Sequence, residues 1–440
     1  MENSNRNKKR NPQDDQRQFF LNIAFFSVFA CVALIFLLLA FDKIPQAGKN
    51  RKKAALETEA ETSETSTESE LPKETLAAET TLTISLIGDC TIGTDETFDT
   101  STNFNAYYTL YGQDYFFKNV KSILSADDLT IANFEGTLTT STTRENKTYA
   151  FKGAPEFASV LTAGSVEAAN LANNHSHDYG SSSYTDTQAN LQAAGITTFG
   201  YDETSVVDVK GVKIGLVGIY ELDTHLGVQT QLQENVAKVL DEGADYVIVN
   251  FHWGTELATT PDSNQTTLAH AAIDAGADLV VGHHPHVLQG MENYKGKVIV
   301  YSLGNFCFGG NVYPSDFDTG IFQQTLTFST SKELSSVTNK FISCSVSSQS
   351  TYNNYQPTPL SGSEKTRVDE KFTALSSQLL TSTPATPETS ASAETGAAAS
   401  SESESSSESE SSESESSSES ESSSESSSSG NSSVKLFLPD

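Results

Sequence analysis

Between Ile84 and His286, short apolar runs break off repeatedly into small clusters of carboxylate, amide and imidazole side chains. Ile84-Ser-Leu-Ile-Gly88 stops at Asp89, and Ile131-Ala stops at Asn133-Phe-Glu135-Gly136. Ala169-Asn-Leu-Ala runs into Asn173-Asn174-His175, Val249-Asn-Phe into His252-Trp253-Gly254-Thr-Glu256, and Leu279-Val-Val281 into Gly282-His283-His284-Pro285-His286. A short apolar run closed by a turn residue reads as a buried strand. Open α/β sheets build their ligand sites at the carboxyl ends of strands. Taken singly, each cluster has an ordinary explanation: Gly-Asp is a common turn, Asn-Asn a loop, and His252 beside Trp253 suits a packed core. Together, at the same end of successive strands, they point to one shared crevice.

The stretch 82–380 supports that architecture. Strands are expected at 82–87, 129–133, 166–171, 212–219, 246–251, 279–281 and 298–303, and helices at 114–125, 182–194, 232–242 and 266–275. This alternation predicts one α/β domain of about 300 residues. Val368, Phe372, Leu375 and Leu379 form one helical stripe, so a last helix at 367–380 is expected to pack on the body.

Three of the chain's eight histidines fall in His283-His284-Pro285-His286. Neutral imidazole is a borderline-soft ligand suited to Zn, Mn or Fe, and the His-x-His spacing of His284 and His286 lets two rings face one cation. A surface or capping role would explain any one of them; the cluster behind a strand points to a metal. His177, His225 and His270 have no such context and read as surface residues.

The chain's ends have a different character. Residues 1–18 are polar, and 19–41 is apolar apart from Asn22 and Ser27. At 1.5 Å per residue that run spans roughly 34 Å, enough for a hydrocarbon core of about 30 Å, which predicts a transmembrane helix. Arg6, Lys8, Lys9, Arg10 and Arg17 before it balance Lys43, Lys49, Arg51, Lys52 and Lys53 after it, so the positive-inside count is a tie. The N-terminal position and the composition beyond favour an uncleaved signal anchor, with 1–18 cytoplasmic and the remainder extracytoplasmic. Cys31 faintly resembles a lipoprotein site, but the apolar run continues past it. The Glu/Thr/Ser/Ala linker at 42–81 and the Ser/Glu-rich tail at 381–440 are expected to be disordered. These segments carry much of the net charge of −30, which therefore says little about the domain's partners beyond giving no reason to expect nucleic acid. Four widely spaced cysteines form no disulfide framework, and a Cys90–Cys307 bridge stays open.

The ordered motifs Gly88-Asp89, Asn133-Phe-Glu135-Gly136, Asn173-Asn174-His175-x-x-Asp178, His252-Trp253-Gly254-x-Glu256, Gly282-His283-His284-Pro285-His286 and Ser302-Leu-Gly-Asn305-Phe306 resemble the CapA family of capsule and poly-γ-glutamate synthesis proteins. The likeness covers roughly 82–328. That family is itself similar to the calcineurin-like metallophosphoesterases. The resemblance implies a metallophosphoesterase-like two-sheet β-sandwich flanked by helices, here preceded by the membrane helix, with a site for one or two divalent ions. Residue by residue, it implies Asp89, Glu135, Asn174, His252, His284 and His286 as metal ligands, with His283 a rival for either closing histidine. It places His175 near a scissile phosphate, where it could act as proton donor; Glu256 reads as an outer residue or base, or equally as a solvated helix-start glutamate. Asn133, Asn173, His283 and Asn305 would line the substrate side. Where phosphoesterases carry a second histidine ligand two residues after the aspartate, this chain has Thr91.

The expected function is that of an anchored extracytoplasmic accessory of anionic-polymer synthesis or export. Its partners would be the membrane, other polymer-assembly membrane proteins, and an anionic polymer or phosphorylated substrate. An active metallophosphoesterase and a metal-free scaffold are the alternatives. No Walker lysine loop is present, so any ATP-dependent ligase would be a separate partner.

Overall fold

The first long apolar run becomes the middle strand of a sheet. In the computed structural model, which describes residues 75–382, β1 (Thr80–Thr91) turns Leu82, Ile84 and Leu86 to one face. It runs parallel to β3 (Leu129–Phe134), which pairs with β6 (Ala168–Asn170) and through it with β7 (Thr197–Phe199). On its other side β15 (Asp318–Phe328), β16 (Leu334–Ser345) and β17 (Thr358–Pro359) extend the sheet antiparallel. At the carboxyl end of β1 the short parallel strand β14 (Asn305–Phe308) pairs Asp89 with Asn305. A second sheet runs in the order β12 (Met291–Tyr294), β13 (Lys297–Val300), β11 (Leu279–His283), β10 (Tyr246–His252), β9 (Val212–Tyr220), β8 (Ser205–Val209). A small third sheet joins β2 (Thr94–Asp95), β5 (Phe151–Gly153) and β4 (Thr137–Leu138).

The two large sheets meet face to face. Ile84, Leu86 and Ile131 of one pack with Ile214, Ile248, Val281 and Val300 of the other in one buried cluster. Each such side chain contributes about 1.5–3 kcal/mol on burial. The outer face of the first sheet is covered by helices Phe104–Tyr111, Ala158–Ala163 and Ser181–Ala193, with Phe104, Leu161 and Leu191 against Ile87 and Ala132. The outer face of the second is covered by helices Gln229–Asp241 and Ser263–Ala275, with Val236 and Leu268 against Val247 and Val280. The result is a mixed α/β sandwich with helices on both sides, compatible with a metallophosphoesterase-like domain.

Several elements depart from expectation for local reasons. The helix at 114–125 is broken into a 3-10 turn (Gln113–Tyr115) and a single helical turn (Lys121–Leu124), because Phe116 stacks on Phe104 at 4.1 Å and anchors the loop. Ahead of it, helix Phe104–Tyr111 begins at Asn103, whose side chain accepts from the Ala106 amide at 3.0 Å, and stops at Gly112 with φ +73°. Helix Ser263–Ala275 starts three residues before expectation because Asp262 and Gln265 form a capping box. The linker expected to reach 81 gives way earlier: Leu76 is buried, its amide donating to Thr330, and β1 begins at Thr80. Strands β15 and β16 were not anticipated, since the exposed, polar β16 carries no apolar signal. Cys90 and Cys307 are buried free thiols, not a bridge.

The membrane helix at 19–41, the preceding tail, the linker before 75 and the Ser/Glu tail beyond 382 lie outside the described residues. Among the described residues no helix is long and apolar enough to cross a membrane.

The last helix, Gly362–Ser382, buries the expected Val368, Phe372 and Leu379 and adds an ionic clamp. Buried Asp318 accepts from Arg367 at 2.6 and 2.9 Å and from Lys371 at 2.8 Å. Burial alone would raise this carboxyl, but the hydrogen bonds and charges of Arg367 and Lys371 hold it below the usual range. A depressed folded-state value adds stability that is present above the unfolded value near 3.9 and is lost as pH falls through the folded one. Asp318→Asn is therefore expected to flatten the loss of thermal stability between about pH 5 and pH 2. Parallel melting curves for variant and wild type across that range would contradict it.

Candidate metal centre

Side chains alternate along a strand. On each parallel strand the positions facing the inter-sheet core are apolar until the last one or two. Leu129 and Ile131 give way to Asn133, Ala168 to Asn170, Ile248 to Asn250 and His252, and Leu279 and Val281 to His283. All five polar residues are buried. Asp89 joins them from β1, which passes so close to the 303–304 turn that a Cβ on Gly88 would lie 2.0 Å from the Gly304 carbonyl oxygen.

The amides tie this layer together. Asn133 donates to Asp89 at 2.8 Å and lies 3.2 Å from His252 Nδ1, while Asn170 donates to Asn133 at 2.9 Å. His252 Nε2 meets the Asn174 side-chain oxygen at 2.8 Å, and the His252 and His284 rings are 4.8 Å apart. Above them the His283–His286 loop is held in an unusual backbone. His284 has φ +95° and His286 φ +57°, left-handed conformations that cost non-glycine residues of order 1–3 kcal/mol each and are characteristic of functional sites. The loop brings His286 Nδ1 to 3.2 Å from Asp89 and 2.8 Å from Asn305, and His286 Nε2 to 3.8 Å from Glu135.

Two groups of potential ligand atoms result, each within 4.8 Å: Asp89, Glu135 and His286, and Glu256, His284 and His286. His286 belongs to both. Both carboxylate oxygens of fully buried Glu135, both ring nitrogens of His283 and Nδ1 of His284 have no hydrogen-bond partner among the described residues. A buried carboxylate without donors is costly unless a cation meets it. The donor set therefore fits a divalent ion of the Zn, Mn or Fe type, two carboxylates and imidazoles being its ordinary ligands.

Electrostatics point the same way. Burial pushes Glu135 up to about 8, with the charges of Asp89 and Glu256 adding to the effect. Burial would raise Asp89 too, but the hydrogen bond and charge of His286 outweigh it and hold Asp89 low. Burial opposes a charge on His286, yet Glu135 and Asp89 lift it to about 10. Glu135 and His286 thus compete for a proton, and His286 is the better host because Asp89 also faces it. Burial lowers His283 to about 4 and His284 to about 3, leaving neutral imidazoles with free lone pairs. His252 is driven well down by burial and by the neighbouring imidazoles.

His175 sits at the rim. Its Nδ1 meets Asp178 at 2.7 Å, Lys147 holds the other oxygen of Asp178 at 2.7 Å, and its Nε2 lies 3.8 Å from Glu135. The dyad was partly legible, since Asp178 follows His175 by three residues. Lys147 carried no local signal, coming from a distant loop.

An open cleft of about 320 Å³ leads out from His175 and His286, lined also by Glu256 and Asn305. Three residues expected on the substrate side are elsewhere. Asn133 is fully buried between Asp89, His252 and Asn170; Asn173 donates to the Phe134 carbonyl and accepts from the His175 amide; His283 lies under the loop, 3.7 Å from Asp89. None of the three lines the cleft, because each continues the inward-facing row of its strand or braces its loop. Exposed Glu256 sits beside His284 and His286 in the position of a ligand rather than of a remote base. Thr91, two residues after Asp89, is buried with a hydroxyl that has no hydrogen-bond partner among the described residues.

The sandwich, with a carboxylate, amide and imidazole cluster at the carboxyl ends of its strands, is compatible with a metallophosphoesterase-like domain. The sequence profile of the family described as Bacterial capsule synthesis protein PGA_cap matches residues 83–310 of the 440, and the chain belongs to that family. It is similar to the Capsule biosynthesis protein CapA of Bacillus anthracis, 34% identical over 254 residues that cover 52% of this chain and 60% of that protein. The PGA biosynthesis protein CapA of Bacillus subtilis (strain 168) is 35% identical over 218 residues, covering 45% and 57%. A Probable polyglutamine synthesis accessory protein of Mycobacterium tuberculosis is 29% identical over 211 residues, covering 41% and 56%. The chain thus spans 56% to 60% of the length of these relatives.

Proposed function

We propose that this protein is a membrane-anchored, extracytoplasmic accessory of capsule-polymer synthesis or export, of the poly-γ-glutamate type, acting through a divalent-metal site. The observation that carries the reading is the convergence of Asp89, Glu135 and His286 with His284 and Glu256, where both oxygens of buried Glu135 and Nδ1 of His284 have no hydrogen-bond partner among the described residues. Relatives named for capsule biosynthesis, PGA biosynthesis and polyglutamine synthesis support the biological setting. The anchor rests on the apolar run 19–41; with no Walker lysine loop in the sequence, an ATP-dependent ligase would be a separate partner, and its recruitment through that run is part of the proposal.

A hydrolytic role on a phosphoester is a second reading, favoured by the His175–Asp178 pair. When bound, a divalent ion would supply Lewis-acid polarisation of a phosphoryl or carboxyl oxygen. Asp89, Glu135, His284 and His286 would hold it, with His252 and Asn174 at its margin. Asp178 fixes the tautomer and direction of His175, so that Nε2 faces the cleft and can hand a proton to a departing oxygen. Lys147 in turn holds Asp178 in place through its other carboxylate oxygen.

The test is metal content by mass spectrometry on the full-length protein in detergent, after exposure to Zn, Mn and Fe, beside His284→Ala/His286→Ala. Bound metal is expected in the wild type and lost in the variant, and a generic phosphodiester assay on the same samples separates accessory from hydrolase. A wild type that retains none of the three ions overturns the metal reading. Release from membranes by alkaline carbonate without detergent overturns the anchor.

A further inference from the structure

The walls of the cleft are unlike those that would grip a polyanion. Aromatic rings follow one another outward from the metal centre. Phe308 lies 5.2 Å from His286 and Phe151 4.4 Å from His175; Tyr149 runs parallel to Phe151 at 6.3 Å, and Phe98 meets Tyr149 edge-on at 6.0 Å. Phe151 and Phe308 are buried, Phe98 is half-buried and Tyr149 is 51% exposed, so the outer part of the wall presents an open ring face. Asn305, Asn311, Glu256 and Asp316 also line the cleft. No lysine or arginine lines the cleft among the described residues. The cations nearby are tied down, Lys147 to Asp178 at 2.7 Å and Lys371 to Asp316 at 2.6 Å.

This wall is set before any ligand arrives. Buried Asp95 accepts from the amides of Ala150 at 2.6 Å and Thr97 at 2.8 Å and from Arg144 at 2.9 Å, so one carboxylate fixes both segments that carry Phe98 and Tyr149. Such preorganisation removes ordering cost from binding. A γ-linked glutamate chain carries a carboxylate on every residue, and along the outer cleft those charges would meet Glu256 and Asp316 with no lysine or arginine in the lining to offset them. A pyranose ring suits the cleft better. Its C–H face is apolar and complements the negative face of an aromatic ring, and its hydroxyls donate to carboxylates and pair with amides.

We propose that the cleft binds a glycosyl group, the sugar of a glycosyl phosphate or phosphodiester whose phosphoryl group lies at the metal centre. The inference rests on the metal reading for its phosphoryl half and on the aromatic wall for its sugar half, and the two halves fail separately.

The experiment uses the full-length protein in detergent, loaded with zinc, and saturation-transfer NMR with five probes: glucose 1-phosphate, inorganic phosphate, methyl α-glucoside, uridine 5′-monophosphate and hexa-γ-glutamate. Glucose 1-phosphate is expected to bind about tenfold more tightly than phosphate, with saturation on its ring protons. Tyr149→Ala and Phe98→Ala should remove that margin and leave phosphate binding unchanged. Equal binding of glucose 1-phosphate and phosphate overturns the proposal. So does a uridine 5′-monophosphate complex contacted through its base with no preference for the sugar phosphate, or a preference for hexa-γ-glutamate. If phosphate fails to bind but methyl α-glucoside still shows transfer that Tyr149→Ala abolishes, the metal reading falls and the sugar subsite stands; absence of both signals overturns both.

Discussion

His286→Gln is expected to weaken divalent-cation binding by more than the roughly 10- to 100-fold that loss of an outer-shell partner costs. His286 is the one side chain common to both groups of ligand atoms, so its removal degrades each of them. Glutamine keeps the volume and a polar tip but cannot supply the imidazole nitrogen that faces Asp89 and Glu135. The same residue governs the pH dependence. Although burial disfavours its charge, Glu135 and Asp89 hold a proton on His286 well above the ordinary histidine range, to about 10. A cation must displace that proton, so affinity should rise with pH by about tenfold per unit for each proton released, and binding should acidify a weakly buffered solution. In His286→Gln the slope should flatten. Competition with a chelator at pH 6, 7 and 8 would measure this, and a wild-type affinity independent of pH would contradict the arrangement of protons described here.

Gly282→Ala is expected to cost stability at the upper end of the about 1–3 kcal/mol typical of overpacking. With roughly 2–4 °C per kcal/mol for a domain of this order of size, melting should fall by about 5–10 °C. A Cβ there would lie 2.1 Å from the Tyr301 carbonyl oxygen and 2.2 Å from Nε1 of Trp253, the two atoms joined by a 2.9 Å hydrogen bond. Neither the backbone of 301 nor the fully buried indole can yield without disturbing the strand that carries His283 and leads into His284. Gly180→Ala is the control. Its φ of +83° with ψ 175° is a region kept by glycine and should cost about 1–3 kcal/mol, but nothing lies within 4 Å of its Cβ position. If Gly282→Ala melts alongside wild type while Gly180→Ala does not, the close packing at Trp253 is not what limits this strand.

Much of the sandwich was legible in the chain because its parallel strands are apolar throughout. Runs such as 246–251 and 279–281 announce themselves without reference to neighbours, and β10 and β11 fall where they were expected. The C-terminal edge was not. In β15 polar residues alternate with apolar ones, and β16 is mostly exposed, so these strands are defined by pairing, β15 with β1 and β16 with β15, rather than by their own composition. The aromatic knot around Phe104, Phe116 and Tyr355 likewise joins residues far apart in sequence, and it overrode the helical pattern at 114–125.

The sequence by itself determined which side chains end the strands, and therefore that Asp89, Glu135, Asn174, His252, His284 and His286 would gather at one end of the domain. Alternation along a strand and the single direction of parallel strands require it. Only the tertiary structure decided which of them share a point in space. It put His286 between Asp89 and Glu135, brought Glu256 in beside it, and turned Asn133, Asn173 and His283 away from the cleft. It also placed Phe98 and Tyr149 beside the site through Asp95, a contact between segments about 55 residues apart. The physical reason is that strand periodicity sets the face a residue occupies. Its partners are set by loop backbone such as the left-handed turns at His284 and His286, and by long-range hydrogen bonds that leave no mark in local sequence.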